Sequence, residues 1–428
     1  MKVRPRTFAP AAVLGVAVAL ILGACGTTDA DTTSEGGLKG PGVDSSAKTI
    51  TIGEISALSG PAESVGIPVH DGLETYLKWF NDNGGVDGWK IKLDARDSAY
   101  NPQKTVQLFN ELKDNVTLLN SFGTPTTAAI RPLIDEQKLV TGGAGIDWSD
   151  DPQLALLGTP YAPAVADLVT YVATEKAGKD SKYGIFYQND AFGQANLAGY
   201  ESAAKTLDLN SVSEVNYKPG DTDFSAQAAK LKASGADYVV IGAISPNAAS
   251  LIGTAGSLGY EPTWLFAAPL FDPVLITDDG TATGKKTAVA PLIVGHSYAS
   301  TYTTPYDASS PAPGFADVEA AHKKFRPKTP INANFTYGWS LGKIYTAIVE
   351  KAIADGDLSR EGILKAKQSL GEVDLAGLAS NPTYGTASAE PPSRAVDVAV
   401  VDDTAPGFLR VESKGYTSDA AASLKPSS

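Results

Sequence analysis

The sequence predicts an α/β protein of two doubly wound lobes with a cleft between them. Three observations lead there. The folded region opens at Thr49–Gly85 with a β-branched run, a loop of small residues and an amphipathic helix, which is half of a βαβ unit. Strand runs and helical spacing then alternate, the pattern of a parallel sheet covered on both faces. The same order restarts near residue 182 with hardly any repetition of sequence, so the second half repeats the architecture of the first.

Each element has its own reason. Thr49, Ile50, Thr51 and Ile52 read as a buried strand. The loop LSGPAESVG turns at Ser59, Gly60 and Pro61; Val69, Leu73, Tyr76, Leu77 and Phe80 then recur at helical spacing until Asn83, Gly84 and Gly85 stop the helix. Trp89, Ile91, Leu93 and Ala95 alternate with polar residues as a second strand. Asn101 before Pro102 is a helix N-cap followed by the residue suited to the first helical position. Val116–Asn120 is a third strand ending in SFGTPTT, a helix is interrupted or begun at Pro132, and Leu139–Thr141 is a fourth strand ending in GGAG. In the second half the expected strands are Tyr183–Tyr187, Val212–Tyr217, Tyr238–Ile241 and Thr263–Ala267, with helices through Leu197–Leu207, through AQAAKLKASG and at Ala248–Leu258. Tyr298–Pro313 is rich in Ser, Thr, Pro and Tyr and reads as a loop. Phe315–Phe325 and Tyr337–Ala354 read as helices, Asn381–Pro392 as an irregular connection and Val396–Val401 as a last strand.

IGEISALSGPAESVG, followed by a helix ending in NDNGGVDGWKIKL, resembles the opening of the solute-binding proteins that serve ABC importers of branched-chain amino acids, and the later segments extend the resemblance over roughly residues 48 to 412. It implies the type I periplasmic-binding fold, two Rossmann-like lobes with a ligand cleft between them. It also implies three crossings between lobes. They would make 49–160 plus about 298–384 the first lobe, 161–297 plus about 385–412 the second, and 413–428 a C-terminal tail.

The resemblance places the binding residues at strand ends. Thr124, Thr126 and Thr127 start a helix after the third strand; hydroxyls and free N–H groups there suit a carboxylate, with Thr126 the nearest match, and a plain helix cap is the alternative. Gly143, Ala144 and Gly145 match a tripeptide whose backbone bonds the ligand. The family's first-loop aromatic residue falls on Val65 and its second-lobe tyrosine on Phe192. The acidic partner for a ligand ammonium would lie near Pro269 and Leu270, where no carboxylate stands; Asp272 or Asp190 is the nearest substitute. Tyr161, Ile244 and Phe271 complete the expected lining, with Tyr100, Phe122 and Trp148 nearby.

Lys2, Arg4 and Arg6 precede an apolar run and then Leu22, Gly23, Ala24 and Cys25, the pattern of a secretory signal peptide over 1–24. Cys25 is the single cysteine and stands where bacterial lipoprotein signals place the lipidated residue. It excludes intramolecular disulfides and thiol metal sites. Residues 25–48, Gly/Ser/Thr/Asp-rich, are expected as a flexible tether. The location expected is therefore the extracytoplasmic face of the cell membrane, held by a lipid anchor.

A net charge of −13 argues against nucleic-acid binding. No enzyme signature survives inspection. GTATGKKT at Gly280–Thr287 is one residue short of a phosphate loop, and Gly142–Gly145 lacks the third glycine of a dinucleotide fingerprint. There is no G-x-S-x-G elbow, and His70, His296 and His322 are far apart. Asp94 and Asp97 fit a turn better than an acid/base pair. The expectation is a monomeric binding protein without catalysis, cofactor or metal, whose partners are a small-molecule ligand and an ABC permease. A ligand sensor using the same fold is the alternative.

Overall fold

The computed structural model describes residues 38–143, 148–178, 180–268, 270–307, 312–385 and 393–426. Cys25, the signal segment, Ala144, Gly145 and Pro269 lie outside them. The first sheet takes β1 (Val43–Asp44), β2 (Thr49–Ser56), β3 (Lys90–Asp97), β4 (Leu118–Ser121), β5 (Thr141–Gly142) and β6 (Leu154–Ala155). β2 lies between β3 on one side and β4 on the other, followed by β5 and β6, all parallel; β1 alone is antiparallel, paired to the start of β2. Helices α1 (Glu63–Asp82), α2 (Pro102–Leu112) and α3 (Thr124–Gln137) make its crossovers.

Helix α4 (Tyr161–Glu175) leads into the second sheet. Its strands are β7 (Lys182–Gln188), β8 (Asn210–Tyr217), β9 (Tyr238–Gly242), β10 (Thr263–Phe266) and β11 (Tyr298–Thr301), with α5 (Ala191–Leu207), α6 (Ser225–Ser234) and α7 (Ser245–Ser257) between them. The order β8-β7-β9-β10-β11 repeats that of the first sheet. The chain then returns to the first lobe with α8 (Phe315–Phe325), α9 (Ala333–Ala354), α10 (Arg360–Gln368) and the small hairpin β12 (Gly371–Glu372) and β13 (Thr383–Tyr384). It ends in the second lobe with β14 (Val396–Val401), β15 (Leu409–Tyr416) and α11 (Asp419–Ala422).

Alternation along the central strands explains why both sheet faces are covered. Ile185 and Tyr187 of β7 enter one apolar core while Phe186 between them enters another. Ile50 and Ile52 of β2 likewise face the core shared with α1 and α9, and Ile55 faces the α2–α3 side. Such doubly buried strands read as continuous apolar runs. Helices α1 and α9 cross at glycines. A Cβ on Gly72 would stand 2.0 Å from the Phe335 carbonyl oxygen, and one on Gly338 1.9 Å from that of Val69. That close approach brings the N-terminal turns of both helices to the same edge of the first lobe.

Several expectations are corrected. Residues 38–48 are no tether: β1 pairs with β2, Thr117 Oγ1 donates to the Pro41 carbonyl at 2.9 Å, and Thr51 N to that of Gly42 at 2.8 Å. The loop expected from Tyr298 begins instead with β11, inside the second sheet, so the chain leaves that sheet only after Thr301. Of the two readings at Pro132 the interruption holds, since Pro132 lies inside α3, which starts at Thr124 as expected; α9 starts at Ala333 rather than Tyr337. β15 runs to Tyr416 and α11 packs against α4 and α5, so residues beyond 412 belong to the second lobe's packing. No described helix is long and apolar enough to cross a membrane.

Candidate functional site

Each sheet reverses its winding once, between β3/β2 and β4 in the first and between β8/β7 and β9 in the second. The crevice outside such a switch point is where open α/β sheets bind ligands. Here the two crevices face each other and enclose one cavity of about 80 Å³, measured by the centres of a water-sized sphere. One water needs roughly 10–15 Å³ on that measure, so the space suits a small organic molecule.

The first lobe contributes Ala62, Val65 and Val69 around the start of α1, Phe122 and Gly123 before α3, Gly143 after β5, Tyr100, and Asn334 and Tyr337 from the first turns of α9. The second lobe contributes Phe192 at the start of α5, Ala243, Ile244 and Ser245 at the start of α7, and Leu270. Tyr161 at the head of α4 and Tyr302 just after β11 stand where the chain passes between lobes. Helices α1, α3, α4, α5, α7 and α9 thus all begin at this cavity. The N-caps of α1, α3, α4 and α7 are Ala62, Gly123, Pro160 and Ile244, and none makes a side-chain capping bond. Their first-turn N–H groups carry the positive end of the helix dipole toward the cavity. Gly123 itself has φ +89, and a Cβ there would come 2.5 Å from the Tyr100 ring.

Of the predicted residues, Val65, Gly143, Tyr161, Phe192 and Ile244 line the cavity. The threonines do not. Thr126 is buried with its hydroxyl on the Gly123 carbonyl (2.8 Å) and the Phe122 carbonyl, Thr127 bonds Ser121, and the Thr124 hydroxyl is buried near Tyr161 without a hydrogen-bond partner. Back-bonding of this kind is usual for threonine in a first helical turn. Phe271 turns away to pack on Phe266 in the second lobe's core. Asp272 is buried beside the cavity. It accepts from Ser245 Oγ at 2.8 Å, from Val274 N at 3.2 Å and, across the lobes, from Ser64 Oγ at 3.0 Å. Burial holds its carboxyl above the usual carboxylate range. Asp190 is taken by Gln188 Nε2 at 2.5 Å and by the Gly193 N–H at 3.1 Å. No acidic, basic or histidine side chain lines the cavity among the described residues.

The polar groups that do line it are mostly phenols. Tyr302 and Tyr337 lie side by side with ring centroids 6.0 Å apart, and Tyr100 lies near Gln188 of the second lobe. Burial pushes the Tyr161 phenol up to about 12 and raises the other three as well, so all stay protonated. Asn334 is 4% exposed and its Nδ2 has no partner. Asn334, Tyr302 and Tyr337 were missed by sequence reasoning. The signal available was Asn332, whose side chain accepts from Phe335 N and marks the true start of α9. Among the described residues no cluster could hold a metal ion.

Comparison with known proteins gives a consistent result. A family model described as periplasmic binding protein matches residues 49–405. Leu/Ile/Val-binding protein homolog 3 of Brucella melitensis biotype 1 is 30% identical over 212 residues, 45% of this chain and 54% of that protein, so this chain spans about half of it. Homolog 7 of the same organism is 24% identical over 78% of this chain and 84% of its own. A solved structure described as a fatty acid ABC transporter substrate-binding protein from Thermomonospora curvata superposes with a TM-score of 0.82 at 28% identity, covering 91% of this chain and 97% of that one. A branched-chain amino acid ABC transporter protein from Thermus thermophilus with bound valine shares the fold, with a TM-score of 0.75 at 21% identity over 87% and 97%.

Proposed function

This chain belongs to the periplasmic binding protein family, as a solute-binding protein of the Leu/Ile/Val-binding type, and from that premise we propose that it captures a small carboxylate-bearing solute with an apolar body and hands it to an ABC importer. The observation that carries the reading is the cavity itself. It is shared by two lobes, sits at both switch points, and is walled by apolar side chains beneath converging helix N-termini. The relatives' descriptions name fatty acid and Leu/Ile/Val as ligands, and all of these carry a carboxylate on an apolar body.

The rest of the reading is mechanical. Closure of the lobes about the three crossings buries the solute and brings the Ser64–Asp272 and Tyr100–Gln188 contacts together; opening releases it. Lipidation at Cys25 would hold the protein at the extracytoplasmic face of the membrane, where the permease is. Nothing in the site performs a reaction: the buried groups bind and orient.

Small-angle scattering of the purified protein, stripped of ligand and then saturated, tests closure. A smaller radius of gyration with ligand is expected; an unchanged profile would sink the closure mechanism. Membrane fractionation of Cys25→Ala tests the anchor, which predicts release into the soluble fraction or blocked processing.

A further inference from the structure

We propose that the cavity selects an unsubstituted apolar monocarboxylate and rejects the corresponding α-amino acid. The inference rests on the solute-binding reading and narrows its ligand. Three helices, α3, α4 and α7, begin at the cavity with no side-chain cap and no acidic residue in the first turn, an arrangement that favours negative charge, while Glu63 N and Val65 N of α1 already donate to the Gly60 and Ala62 carbonyls. A second observation is independent of helix ends. Asn334 Nδ2 is a buried donor on the cavity wall with no partner in the protein, and a buried donor left unmatched is costly. The Tyr302 and Tyr337 phenols stand on the same wall and can each donate a proton to a ligand oxygen. An unmatched donor beside phenol hydroxyls suits a carboxylate.

Among the described residues an ammonium group has no such place. It would sit among positive helix ends. Of the described carboxyl groups near the cavity, Asp272 is already engaged by Ser64, Ser245 and Val274, and Asp190 by Gln188 and Gly193. A buried cation without a partner is strongly disfavoured. Val65, Val69, Phe122, Phe192, Ile244 and Leu270 supply apolar walls for the rest of the molecule.

The test is titration calorimetry on the full mature protein, unfolded and refolded to strip bound compounds, with 4-methylpentanoate, leucine and 4-methylpentanamide. These three share a carbon skeleton and differ in charge. The carboxylate is expected to bind at least about tenfold tighter than either of the others, as for hydrogen bonds to a charged group. Asn334→Asp should weaken it by about tenfold or more, and Tyr337→Phe, which keeps the shape, should weaken it less. Leucine binding as tightly as the carboxylate, or the amide doing so, overturns the inference. So does unchanged affinity in both variants, each confirmed folded by its melting curve. If none of the three binds, mass spectrometry of the compound released on denaturing the protein as purified decides. A released apolar monocarboxylate supports the inference. Any other solute, or none, overturns it, while closure seen by scattering with that other solute leaves the solute-binding reading standing.

Discussion

Thr126 illustrates what one side chain can and cannot reveal. Its hydroxyl donates to main-chain carbonyls inside its own helix turn, so it braces the loop before α3 without reaching the cavity. Thr126→Val should therefore cost about 0.5–1.5 kcal/mol of stability in denaturant titration, the usual net worth of one hydrogen bond, yet change ligand affinity by less than about threefold. A tenfold loss of affinity would return the hydroxyl to the site. Sequence could say which loops border the cavity, because strand ends are marked by glycine, proline and small residues, and the family resemblance then picked Val65, Gly143 and Phe192 on those loops. It could not say which way a hydroxyl turns. Nor could it bring Asn334 and Tyr337 to residues more than two hundred positions away, since that contact exists only because α1 and α9 cross at glycines.

At the scale of elements, α11 and α4 make a contact with a pH signature. Asp167 of α4 is fully buried and faces Ser418, the N-cap of α11. Burial raises its carboxyl from 3.8 to about 7, an effect that the neighbouring Ser418 and Arg394 only partly offset. The folded protein thus holds this proton more tightly than the unfolded chain does. Its contribution favours folding most below about pH 4 and is progressively lost as pH rises through 7. Asp167→Asn is expected to remove that part of the pH dependence, so that denaturant midpoints at pH 5 and pH 8 draw closer than in the parent protein. An unchanged gap would place the titration elsewhere. α11 was not visible in the sequence because four residues carry no periodicity. β11 was hidden for a different reason: Tyr-Ala-Ser-Thr looks like the loop that follows it, and only its position between β10 and β14 makes it a strand. The long apolar runs of β2, β7, β9 and β14, buried on both faces, announced themselves.

For the molecule as a whole, the two-lobe plan was readable because it is written twice in periodic runs, whereas the contacts across the cleft involve single residues far apart in sequence. Ser64 is one such residue. Ser64→Ala removes a bond between the lobes without touching the cavity lining, so it should weaken ligand binding about two- to tenfold while keeping the order of preference among ligands. Calorimetry with two ligands checks this, and a reversed preference would mean that Ser64 acts on the ligand itself. The strap at 38–48 has a consequence of another kind. It is sewn to the edge of the first sheet through Pro41, Gly42 and β1, and the Gly40 backbone abuts that of Leu358 in the same lobe. A pull or a fixed point at the N-terminus therefore acts on the first lobe alone. Under the proposed closure, holding the protein by that handle makes the first lobe the stator and the second the swinging arm, so that an optical label on the second lobe is expected to report capture and release as a displacement from the supporting surface.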